Sequence, residues 1–125
     1  MSHNNSEIVT AFVREFDVPR PDAEKLGTYF TDDAVYHNIP MAPVLGRAAI
    51  QKVLGGMGAT MLSAGWEVKH QLASGDVVMN ERVDRFKMGA KDVSVRVVGV
   101  FELHDGKITA WRDYFDVAEF QNQMK

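Results

Sequence analysis

The chain has 125 residues, 46% hydrophobic and 25% charged, which is the length of one domain with ample apolar material to offset chain entropy. Its net charge of −3 comes from 14 basic and 17 acidic side chains with no Lys/Arg block, so a nucleic-acid partner is not expected. With no cysteine, a disulfide framework, a thiolate metal site and a cysteine nucleophile are excluded.

The first residues, Met-Ser-His-Asn-Asn-Ser-Glu, lack the basic stretch and long apolar run of a leader. No apolar run approaches the ~18 residues that suggest a membrane span, so a cytoplasmic protein without membrane association is expected. Ile8, Val9, Phe12, Val13 and Phe16 recur at helical spacing behind Ser6, the candidate N-cap. The segment 18–21 breaks that helix, and Pro21-Asp22 opens a second one running to about Phe30, ended by Thr31-Asp32-Asp33. A short strand at 34–39 stops at Pro40 and Pro43, and a third helix at 48–54 leads into a bend at Gly55, Gly56 and Gly58. From Ala64 onward the pattern becomes β. Strands at 66–73, 77–88, 92–103 and 107–116 are separated by Ser74-Gly75-Asp76, Gly89-Ala90 and the hairpin signal Asp105-Gly106, and a closing helix occupies 117–123. The expected fold is α+β: one domain over 1–125, with N-terminal helices over a curved, mostly antiparallel sheet.

Several polar residues sit awkwardly in this pattern. On the strand at 77–88, Val78, Asn80, Arg82, Asp84, Phe86 and Met88 share one face, and Val77, Met79, Glu81, Val83 and Arg85 the other. Neither face is cleanly apolar. The pattern alone favours an exposed Arg82–Asp84 pair, while a polar cluster in an apolar cavity is the alternative. Trp111, Asp113 and Phe115 share a face on the last strand, where an aspartate between two aromatics is unusual for a solvated surface. Tyr36 and Asn38 share a face on the early strand, with His37 pointing away. Three such clusters on separate strands can converge in a cone.

Tyr36-x-Asn38, the run Glu81-Arg82-Val83-Asp84-Arg85, and Gly99-Val100-Phe101-Glu102 leading through Asp105-Gly106 to Trp111-Arg112-Asp113-Tyr114-Phe115-Asp116 closely resemble the limonene-1,2-epoxide hydrolase family. The resemblance covers nearly the whole chain and is most specific in the Arg-x-Asp strand and at 111–116. It implies an NTF2-like, SnoaL-like cone of the kind seen in ketosteroid isomerases. It also implies a role for each polar residue. Asp113 takes a proton from a water held with Tyr36 and Asn38, Asp84 protonates the epoxide oxygen, and Arg82 keeps the carboxylates in register. Attack and protonation then form one push–pull step without a covalent ester, and relatives of this kind are commonly homodimers.

Such chemistry calls for opposite protonation states on the two carboxyl groups. The pair is therefore expected to share one proton near neutral pH and to titrate as a unit. Ring strain in the epoxide makes a metal or cofactor unnecessary, so none is expected. The expected substrate is an apolar, terpene-sized or larger cyclic epoxide, opened to a vicinal diol. Met57, Met61, Phe86, Met88, Val95, Val97, Trp111, Phe115 and Phe120 are candidate wall residues, and seven methionines suit an adaptable cavity.

Other chemistries find less support. His3, His37, His70 and His104 lack metal-ligand spacing. Gly55-Gly56-Met57-Gly58 does not follow a strand, as a dinucleotide loop must. No Gly-x-Ser-x-Gly elbow occurs. Two alternatives remain: a ketosteroid-isomerase-like or polyketide-cyclase-like proton shuttle on the same cone, and a non-catalytic NTF2-like binding or dimerisation module. The first gives no job to an Arg-x-Asp facing a second aspartate, and the second makes Arg82, Asp84 and Asp113 replaceable.

Overall fold

The computed structural model describes residues 4–125. Part of the segment read for a leader, including His3, lies outside them. Helix α1 (Asn5–Arg14) is capped by Asn4, whose side chain accepts from the Glu7 N–H, and not by Ser6. The Ser6 hydroxyl is engaged elsewhere, accepting from Gln71 at 2.8 Å. The expected apolar stripe is buried: Val9, Phe12 and Val13 from α1, and Phe16 from the 3₁₀ turn Glu15–Asp17 that follows.

Helix α2 (Ala23–Gly27) is capped by Asp22 as anticipated but is shorter than its pattern suggested. Thr31, Asp32 and Asp33 do not end a helix; they belong to strand β1 (Phe30–Asn38). Phe30, Ala34 and Tyr36 turn inward, while the aspartates stay exposed across a register shift between Phe30 and Val35. That irregularity hides the two-residue alternation expected of a strand. A two-residue edge strand, β2 (Val44–Leu45), follows Pro43 and was not anticipated.

Helix α3 (Arg47–Thr60) runs straight through the glycines that were expected to bend the chain. A Cβ on Gly55 would stand 3.2 Å from Ala23 Cβ, and one on Gly58 3.4 Å from Arg20 Cγ. Gly55 therefore allows α3 to lie close against α2, at a cost of about 1 kcal/mol in helix propensity.

Strands β3 (Leu62–Ser74), β4 (Val77–Met88), β5 (Lys91–His104) and β6 (Lys107–Tyr114) form the expected meander, and α4 (Val117–Gln123) closes the chain. Strand β3 begins earlier than its pattern suggested. β6 ends two residues earlier because Asp116 becomes the N-cap of α4. The six-stranded sheet has the order β2-β1-β6-β5-β4-β3, with β1 and β6 parallel and every other pair antiparallel. Register shifts at Ser63/Trp66, Val68/His70 and Glu102/Leu103 bend the strands and curve the sheet. Its concave face and the N-terminal helices enclose a core centred on Phe12, Phe101 and Trp111, while α4 packs Phe120 and Met124 on Val93, Val95 and Val97. No described helix is long and apolar enough to cross a membrane.

Candidate active site

The site grows out of strand register. Asn38 pairs with Asp113, Asp113 with Gly99, and Gly99 with Asn80, so three polar side chains and one gap line up across β1, β6, β5 and β4 on the concave face. Two residues further along β4, Arg82 shares that face. Neighbouring strands lie about 4.8 Å apart, so an arginine on β4 can reach β6 only by crossing over β5. Gly99 supplies the crossing: a Cβ there would come within 2.9 Å of both Asn80 Oδ1 and Asp113 Oδ1, and closer still to Arg82 Nη1.

The alternation of β4 is decided in favour of the cavity-side reading. Arg82 is 0% exposed and Asp84 and Asp113 are each 3% exposed, so the solvated Arg82–Asp84 pair favoured by pattern alone is incorrect. Apolar Val78 and Phe86 drag their whole face inward, and the polar residues between them follow. Arg82 grips Asp84 through Nε to Oδ1 and Nη2 to Oδ2, both at 2.9 Å. It reaches Asp113 through Nη2 to Oδ2 at 2.9 Å and Nη1 to Oδ1 at 3.3 Å. One guanidinium thus bridges two carboxylates. Trp111 Nε1 donates to Asp113 Oδ1 at 2.7 Å, and the Trp66 ring, stacked on Phe16, lies 5.0 Å beneath the Arg82 carbon. Tyr36 and Asn38 hydrogen-bond each other at 3.0–3.2 Å beside them.

Burial pushes the Asp84 carboxyl up to about 6, against the opposing pull of Arg82. Burial likewise opposes the charge on Arg82, but Asp113 and Asp84 outweigh it and hold the guanidinium protonated. The Tyr36 phenol is raised above its ordinary value by burial and by the charge on Asp113, so it stays neutral.

Tyr36, Asn38, Asp84 and Asp113 form the polar floor of a cavity of about 240 Å³. Arg82 does not touch the cavity; it lies behind the carboxylates. Of the anticipated wall residues, Met57, Met61, Phe86, Val95, Val97, Phe115 and Phe120 do line it. Trp111 does not: it is fully buried, stacked between Tyr36 and Phe101, with its N–H turned to Asp113. Met88 packs against the core instead. Sequence reasoning missed Met41, Val53 and Trp66 on the wall. Val53 and Met57 stand one helical turn apart on α3, a spacing that could have revealed the first of the pair. Trp66 needed the β3–β4 register, which pairs it with Asp84.

Residues 3–125 match the family model described as the limonene-1,2-epoxide hydrolase catalytic domain. The chain belongs to this family. Among its relatives is the epoxide hydrolase EphG of Mycobacterium tuberculosis, 39% identical over 98 residues. That alignment takes in 77% of this chain and 64% of the mycobacterial protein, so it spans less than two thirds of the relative's length. The solved structure of an M. tuberculosis epoxide hydrolase described as limonene-epoxide-hydrolase-like superposes with a TM-score of 0.80 at 31% identity, covering 95% of this chain and 87% of the other. A SnoaL-like polyketide cyclase from Shewanella putrefaciens superposes as well, with a TM-score of 0.83 over 99% and 98% of the two chains. At 15% identity, that likeness is one of fold alone.

Proposed function

We propose that this chain opens an apolar epoxide to a vicinal diol in one concerted step, with Asp113 as general base and Asp84 as general acid. The observation that carries the reading is a pair of buried carboxylates, bridged by one arginine, on the floor of an otherwise apolar cavity. Family membership and the named mycobacterial relatives support it.

A carboxylate offers about four acceptor positions. Asp113 uses three of them, on Trp111 and on two Arg82 N–H groups, which leaves one for a water beside Tyr36 and Asn38. Water attacks an epoxide carbon, Asp113 takes its proton, the carbon–oxygen bond breaks, and Asp84 protonates the departing oxygen. Both atoms of the former ring bond leave in the diol. The enzyme is left with Asp113 protonated and Asp84 ionised, so one proton must return before the next turnover. Positioned general acids and bases typically contribute ~10²–10⁴-fold each. Arg82 lies behind both groups, so its role is to position them.

A cavity of about 240 Å³ with methionine, valine and phenylalanine walls suits a single cyclic, terpene-sized body, and the reaction as written uses no cofactor or metal. We propose, further, one domain in a homodimer formed on the outer face of the sheet, where Leu72, Met79, Val98 and Tyr114 stand exposed. Single turnover in H₂¹⁸O with enzyme in excess tests the concerted step. Label is expected in the diol from the first turnover and in neither aspartate. Unlabelled first-turnover diol would mean a covalent ester, and no diol at all would remove the proposed activity.

A further inference from the structure

The mechanism above leaves part of Arg82 unassigned. A guanidinium has five N–H bonds. In this chain, Nε, both Nη2 hydrogens and one Nη1 hydrogen go to Asp84 and Asp113; the remaining Nη1 hydrogen goes to Asn80 Oδ1 at 3.0 Å. Asn80 is 3% exposed and does not line the cavity. Its Nδ2 donates to Gln71 Oε1 on β3 at 3.1 Å. Gln71 Nε2 in turn meets the Ser6 carbonyl at 3.0 Å, the Ser6 hydroxyl at 2.8 Å and the Thr10 hydroxyl at 3.1 Å, all on α1.

A terminal amide can present either its oxygen or its nitrogen, and only its partners decide which. A backbone carbonyl can only accept. The Ser6 carbonyl therefore obliges Gln71 to turn its nitrogen to the helix and its oxygen to Asn80. Asn80 must then turn its nitrogen to Gln71, which leaves its oxygen for Arg82. One carbonyl on α1 thus sets the direction of every hydrogen bond up to the guanidinium.

We propose that Asn80 and Gln71 are positioning residues for the epoxide-opening reaction, holding Arg82 at the one orientation in which all its N–H bonds are used and both carboxylates are held. This rests on the epoxide hydrolase reading. If the Asn80 amide turned over, an N–H would face an N–H between two buried side chains, and Arg82 would have to leave its seat over Gly99. The charged and aromatic groups facing Arg82 are Asp84 and Asp113 at its edges and Trp66 at its face, and the fifth N–H is accepted by Asn80 alone among the described residues.

The test uses Gln71→Leu, a half-buried position remote from the cavity, and Asn80→Ala. Two quantities are measured on the whole chain: diol formation from cyclohexene oxide across pH, and the titration midpoint of the Asp84 carboxyl followed by carbon NMR. The expected result is a kcat about tenfold lower in Gln71→Leu and about a hundredfold lower in Asn80→Ala, with KM within about twofold in both. The Asp84 midpoint should rise in both, because a desolvated carboxyl loses part of its counter-charge when Arg82 shifts. A chain that merely needs these residues to fold would lose melting temperature without a split between kcat and KM and without moving that midpoint. Unchanged kcat and an unchanged Asp84 midpoint in Gln71→Leu would overturn the proposal even if Asn80→Ala did not fold. The carbon titration reads the relay without catalysis, so a wild-type chain that forms no diol would refute the epoxide hydrolase reading while the relay is still decided.

Discussion

Replacing Gly99 with alanine adds one methyl group at the centre of the polar cluster. Gly99 is absent from the positive-φ positions, so the substitution meets no backbone strain, and its effect is purely one of space. The added Cβ would stand 2.9 Å from Asn80 Oδ1 and from Asp113 Oδ1, and nearer still to Arg82 Nη1, whereas ordinary contacts of a carbon begin near about 3.5 Å. Something must move by about half an ångström or more, and every candidate belongs to one hydrogen-bonded unit. Displacing Nη1 breaks its bonds to Asn80 and Asp113, all three side chains being buried. Disrupting a buried ion pair on one side costs about 3–5 kcal/mol. Misplacing a reacting group by about 1 Å costs roughly a hundredfold in rate. Urea unfolding and the initial rate of diol formation read the two effects on the same preparation. A Gly99→Ala chain within about 1 kcal/mol of wild type in stability and within about threefold in rate would show that Arg82 does not cross over β5 as described.

Three further outcomes follow from the same geometry. With Asp84 at about 6 and required in its protonated form, kcat/KM should fall steadily as the pH rises above about 6, and a flat profile into the alkaline range would remove its acid role. The folded-state value lies above the ordinary 3.8, so protonated Asp84 adds stability that is fully present below pH 3.8 and lost as the pH rises through about 6. That gap corresponds to about 3 kcal/mol, and the non-titrating Asp84→Asn chain should therefore show a flatter urea midpoint between pH 4 and 7 than wild type. Trp111→Phe keeps the stacking on Tyr36 and Phe101 but deletes the 2.7 Å bond to Asp113. It should lower kcat about tenfold and leave KM within about twofold, at a cost of about 1–2 kcal/mol in stability, whereas an altered KM alone would return Trp111 to the cavity wall.

The β meander was legible because its strands are long and its turns carry glycine; the limits of β4 and α4 coincide with the pattern to the residue. The first half was harder. Asp32 and Asp33 resemble a helix stop, yet they are the exposed part of a strand whose inward residues are spaced by a register shift. The glycines of α3 resemble a bend, and the reason for Gly55, the closeness of Ala23, lies on another element. The face of β4 could not be chosen from alternation, since polar residues occupy the buried side and Met79 the exposed one. Val78 and Phe86 carry it inward, and the pairing of Asp113 with Gly99 and of Gly99 with Asn80, a fact of register, then brings the polar residues together. A glycine inside a strand marks a close approach, so Gly99 was a usable sign for the site. Asn80 stood on the same face as Arg82, but its part depends on Gln71 and on α1, more than sixty residues away from Gln71 in sequence.

The most direct measurement is diol formation from limonene-1,2-epoxide by the unaltered chain, Asp84→Asn and Asp113→Asn, with folding checked by circular dichroism. Rapid diol formation by the unaltered chain, reduced about 10²–10⁴-fold by each substitution in a folded protein, is the expected result. Turnover surviving in both variants would place the chemistry outside the two carboxylates and contradict the central claim.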